Sequence, residues 1–142
     1  MSSSPALVAW QQKYATDITQ GASDAKAARQ KLDAASVHVG RAKDLLARGE
    51  YDLALNSAES ALVVSCDAVL RKDGYFVRSH VARFAYPLLP ALLTQNAGLL
   101  NRIRTSRNAA QYEAPGTISA DLAANAVRLA ERALAEVKVA IA

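Results

Sequence analysis

The amino-acid pattern predicts an all-α chain folded as an up-and-down bundle of about four to five helices. Three observations lead there. Apolar residues recur at helical spacing through long stretches. Alanine is abundant, while aromatic residues make up only 6% of the chain. Gly or Pro-Gly breaks separate the periodic stretches, at Gly49, Asp73-Gly74 and Pro115-Gly116. Small side chains let helices approach closely, and 142 residues suit one domain.

In chain order, residues 1–21 form an N-terminal segment, either a short docked helix or a tail. Ser2 to Pro5 can cap a helix over Ala6–Tyr14, with Leu7, Trp10 and Tyr14 on one side and Trp10 as a hydrophobic anchor. The helical domain proper is expected over 22–142. Its first helix spans Ser23–Arg48, with Ala25, Ala28, Leu32, Ala35, Val39, Ala42 and Leu46 as the apolar face. His38 lies beside that face and reads as structural. Gly49 stops the helix. A second helix over Glu50–Lys72 follows so closely that the two form an antiparallel hairpin. Its apolar side includes Cys66, which reads as a small buried residue, since no base beside it in sequence would activate the thiol.

Ser79 can cap a short third helix from His80 to Ala85 or Tyr86. Pro87 and Pro90 forbid a smooth continuation, so a fourth helix is expected from near Pro90 to Gln111. Ser119 caps a last helix to the C-terminus, with Leu122, Ala126, Leu129, Ala133, Val137 and Ala140 as its stripe.

The formal net charge is +4, and it is unevenly spread. Arg71, Lys72, Arg78, Arg83, Arg102, Arg104 and Arg107 face a single acid, Asp73, between Arg71 and Tyr112. The rest of the chain is slightly acidic. A basic middle third attracts polyanions, nucleic acid first among them, if its side chains share a face. Other chemistries are discounted. There is no Gly-rich phosphate loop, no HExxH and no metal-ligand spacing, so no cofactor or metal is expected. The lone cysteine rules out an internal disulfide and fits a cytoplasmic setting. The first residues do not read as a signal peptide, and no stretch reads as a membrane span.

The densest polar pattern is RIRTSRNAAQY. Arg104, Arg107, Asn108, Gln111 and Tyr112 fall on one helical face. Two guanidiniums, two amides and a phenol can all bind phosphate oxygens or nucleotide edges. Arg102 and, across the chain, His80 complete the candidate phosphate-binding set. A solvated face or a dimer contact would have the same pattern.

Over roughly Ser23 to Ala142 the chain resembles the HEPN (higher eukaryotes and prokaryotes nucleotide-binding) domains. The resemblance lies in the hairpin RAKDLLARGEYDLALNSAESAL, in KDGYFVRSH entering a short helix, and in RNAAQY near the end of the penultimate long helix. It implies a helical bundle that homodimerises, a role in toxin–antitoxin or defence systems, and metal-independent RNA cleavage at a composite cleft. It also implies a minimal nucleotidyltransferase as a possible antitoxin partner. Carried over, Arg107 is the motif arginine and Asn108 its polar companion. Tyr112 stands where the family has His, and a phenol is a weaker base than imidazole at neutral pH.

Three functions remain open at this level. One is an RNA-cleaving toxin with Arg107, Asn108 and Tyr112 as catalytic residues. Another is a non-catalytic module that binds RNA or nucleotide, or docks the nucleotidyltransferase. The last is a structural helical dimer.

Overall fold

The computed structural model describes residues 4–112 and 115–142, except for the side chains of Gln111 and Tyr112. Among these residues the fold is a helical bundle. The long elements are α2 (Ala25–Ala47), α3 (Tyr51–Asp73), α6 (Ala97–Tyr112) and α7 (Ala120–Ala140). Shorter helices are α1 (Pro5–Lys13), α4 (His80–Phe84) and α5 (Ala91–Gln95). The count exceeds the expected four to five because the short connecting segments are themselves helical.

The boundaries follow local chemistry. Asp24 caps α2 by accepting from the Ala27 N–H at 2.9 Å, and Ser119 caps α7 from Leu122 at 3.1 Å. Gly49, at a φ of 74°, turns the chain between α2 and α3. Helix α3 is the axis of the molecule and packs against α2, α7, α6 and α4. Its buried residues include Ala54, Ala58, Ala61 and Ala68 together with Leu55, Leu62 and Leu70. They share one core with Leu32 and Val39 of α2 and Leu129 and Val137 of α7. Small residues interleaved with leucines let the three backbones approach closely.

Helix α3 also corrects one expectation. It is long and apolar enough to cross a membrane by length and composition, but 67% of that window is buried inside the bundle. The core accounts for its apolar character. No other helix among the described residues meets that test.

Two features depart from the helical pattern. Strands β1 (Ile18–Gln20) and β2 (Tyr75–Val77) pair antiparallel, with Ile18 opposite Val77 and Gln20 opposite Tyr75. Gly74 makes this ribbon possible. Its φ is 92°, and a Cβ there would come within 2.5 Å of the Gly21 carbonyl oxygen. The second feature is the break at Asn96, where one helix to Gln111 was expected. The Asn96 side chain donates to the Leu92 carbonyl at 2.7 Å, and its own carbonyl accepts from Leu100 at 2.9 Å. One asparagine thus ends α5 and starts α6, because its amide competes for backbone partners.

The N-terminal helix docks. Trp10 is buried against Tyr75 (ring centroids 5.1 Å apart) and Tyr86 (4.8 Å), and its Nε1–H donates to the Ala82 carbonyl at 2.8 Å. The Tyr86 hydroxyl donates to Asp73 at 2.5 Å, so α1, the end of α3, β2 and the residues just after α4 meet in one aromatic cluster.

Candidate functional site

The candidate site is built where α4 and α6 lean on α3. Three polar residues of α3, Asn56, Glu59 and Asp67, lie within a narrow arc, since eleven residues are about three helical turns. Each receives a cation from a neighbouring helix. Arg107 of α6 donates through Nε to Asn56 Oδ1 at 2.7 Å and sits 3.5 Å from Glu59 Oε1. Arg83 of α4 donates through Nε to Asp67 Oδ1 at 2.7 Å and through Nη2 to the Val77 carbonyl at 3.0 Å.

The remaining Arg83 contact reaches His80. Nη1 of Arg83 lies 2.6 Å from His80 Nδ1. A guanidinium has only donors, so His80 Nδ1 accepts and the neutral ring carries its proton on Nε2. The His80 pKa is lowered from its ordinary value. Burial is the main cause, followed by Arg83, Arg104 and Arg107, with Asp67 opposing. The fold therefore brings His80 into the field of Arg104 and Arg107, two of the three α6 arginines, which no spacing in the sequence could establish.

Glu59 has the opposite character. Glu59 is only 6% exposed, and among the described residues its Oε2 has no hydrogen-bond partner. Its pKa is raised because lost hydration outweighs the attraction of Arg107 and Arg104. At 3.5 Å, the Arg107 pair is too long to offset burial of the charge.

Two cavities open on either side of the α6 arginines. His80, Val81, Phe84, Leu100, Asn101 and Arg104 help line one of about 300 Å³ between α4 and α6. Asp52, Leu53, Asn56, Arg107, Ala110 and Pro115 line one of about 360 Å³ between α3 and the end of α6. Arg104 and Arg107 are thus adjacent on α6 but face different spaces.

The other sequence-derived candidates divide. Arg102 and Asn108 are exposed on α6 and line neither cavity. The side chains of Gln111 and Tyr112 lie outside the described residues. Cys66 is fully buried, and burial pushes its thiol pKa far up, so it is no nucleophile. Among the described residues no group of three or more His, Cys, Asp or Glu side chains is placed to hold a metal ion.

Sequence reasoning missed Arg83, Asp67, Asn56 and Glu59. A signal was present: Asn56, Glu59 and Asp67 recur on one arc of a helix rich in alanine and leucine, and His80 and Arg83 stand one turn apart. No family model, curated protein or solved structure matches the chain.

Proposed function

We infer that this chain is an HEPN-like, cytoplasmic helical module that binds RNA or nucleotide by holding phosphate on the basic face formed by α6 and His80. One observation carries the reading: His80 of α4 and Arg104 of α6, from two separate helices, line the same groove, with Arg107 one turn further along α6. Such a cluster raises the local concentration of anions and offers both charge and directed N–H donors. The sequence resemblance supplies the setting. That setting is a toxin–antitoxin or defence system, a homodimer, and a minimal nucleotidyltransferase as partner.

Holding is favoured over cutting. A general base needs a lone pair facing the proton it removes. The lone pair of neutral His80 is engaged by Arg83, and the ring's other nitrogen bears hydrogen. Metal-free cleavage through Arg107, Asn108 and Tyr112 is the alternative, and the same experiment separates it.

Binding of single-stranded RNA to the full chain, followed by fluorescence anisotropy across a salt series, is the test. Affinity is expected to fall with salt, and Arg104→Ala or Arg107→Ala to reduce the logarithmic salt slope by about 1 each. The RNA should stay intact without metal. Absent or salt-independent binding would refute the reading. Metal-free cleavage that disappears in Arg107→Ala would replace it with the nuclease.

A further inference from the structure

We propose that the groove between α4 and α6 is a mononucleotide subsite in which Arg104 pairs with the phosphate and His80 donates to it through Nε2–H. Arg83 and Asp67 are positioning residues that hold His80 in that tautomer. The proposal rests on the phosphate-holding function above and adds to it a place, a donor and a ligand size.

The tautomer follows from geometry. Arg83 cannot accept a hydrogen bond, so a contact of 2.6 Å to His80 Nδ1 requires a lone pair there. Nor is Arg83 free to turn away. Its side chain is 8% exposed, and Asp67 and the Val77 carbonyl hold its other nitrogens at 2.7 and 3.0 Å. A guanidinium held by these two partners presents a fixed edge to the imidazole. A second proton on His80 would have to enter at Nδ1, against that edge and within the field of Arg104 and Arg107. Burial and these arginines hold the His80 pKa below its ordinary value, which favours the neutral donor.

The groove supplies the rest. Its volume of about 300 Å³ lies at the small end of ligand pockets, the size of one nucleotide rather than a duplex. Phe84 and Leu100 form an apolar wall against which a base can stack, and the Asn101 amide can both donate to and accept from a base edge. Among the described residues no carboxylate lies within ion-pair distance of Arg104. Its charge remains available for a phosphate on the groove's polar side.

The test uses the full chain with ¹⁵N-labelled histidine and long-range ¹H–¹⁵N correlation spectra. The chain has two histidines, so His38 on α2 serves as an internal reference. In the free protein, His80 should show the Nε2–H pattern. Adenosine 5′-monophosphate should shift the His80 signals and leave those of His38 in place. Arg104→Ala should weaken that binding about tenfold, the loss of one charge-assisted contact. Asp67→Asn is gentler on the fold than removing Arg83. It should mix the His80 tautomers and weaken the nucleotide while thermal unfolding stays cooperative.

An Nδ1–H tautomer in the free protein would overturn the proposal. So would inorganic phosphate acting as strongly as the nucleotide, because the apolar wall would then contribute nothing. If RNA binds in a salt-dependent way but the nucleotide leaves His80 unmoved, the subsite is wrong and the broader function stands. If neither binds, both fall.

Discussion

Helix α3 has two unlike sides, and each holds one buried oxygen without a partner among the described residues. Toward the core, its alanines and leucines meet α2 and α7 in an apolar interior, where Ser65 Oγ is fully buried and unbonded. Toward α4 and α6, its polar arc meets arginines, and Glu59 Oε2 is the unbonded atom. The same local defect has different meanings. In the apolar interior an orphan hydroxyl is a pure cost, since nothing nearby can use it. On the polar side an orphan carboxylate oxygen sits within a field of arginines that also acts on His80. The core makes the fold. The polar side uses part of the resulting stability to hold charges in fixed positions.

The largest way to break this comparison is at Arg83. Arg83→Ala would strand Asp67, whose side chain is 17% exposed, and cut the tie between α3 and α4. Breaking a largely buried pair from one side costs about 3–5 kcal/mol. Chemical denaturation should show that loss. The pair itself is a different matter. Arg83→Met combined with Asp67→Leu should recover much of the stability, because no buried charge is then left alone. It should also release His80 from its fixed tautomer. A double variant as weak as Arg83→Ala would mean that the network is structural cement rather than a positioning device.

The opposite side of α3 sharpens the contrast. Ser65→Ala removes a hydroxyl that has lost its water and gained no partner, at almost no change in volume. A gain of about 1 kcal/mol is expected, read as a higher melting temperature with an unchanged denaturant slope. A loss would show that the hydroxyl has a partner after all.

How much was legible in the sequence follows the same division. The apolar side of α3 and its neighbours were readable because burial imposes a 3.6-residue period, as in Leu122, Ala126, Leu129 and Ala133 of α7. Caps at Ser79 and Ser119 were readable for the same local reason. The ribbon was not. Ile18–Gln20 and Tyr75–Val77 are three residues each, too short for an alternation to register, and their pairing joins distant parts of the chain. The split at Asn96 depends on which carbonyl one amide chooses. In the candidate site, the arginine face of α6 was visible as a pattern. Its partners were not, because a contact such as Arg107 to Asn56, 51 positions apart, leaves no mark in local spacing. Arg83 was counted as one more basic residue, although the fold buries it to 7% exposure.

The smallest expected effect lies at Glu59, and pH makes it readable. Its folded-state pKa is raised, so the folded chain binds a proton more tightly there than the unfolded chain does. Stability from this group is therefore present in acid and is lost as pH rises from the ordinary value of 4.5 through the folded-state value. Glu59→Gln removes that titration while keeping a carbonyl oxygen for Arg107. Below the carboxylate range the variant and the parent should unfold alike. At neutral pH the variant should be more stable, by well under about 1 kcal/mol, because the lost attraction to Arg107 offsets most of the relief from burying charge. Thermal unfolding from pH 4 to pH 8, with the two curves diverging only upward in pH, is the measurement. A variant less stable than its parent at neutral pH would mean that the Arg107–Glu59 pair outweighs the desolvation of the carboxylate. The polar side of α3 would then be held together by its charges rather than in spite of them.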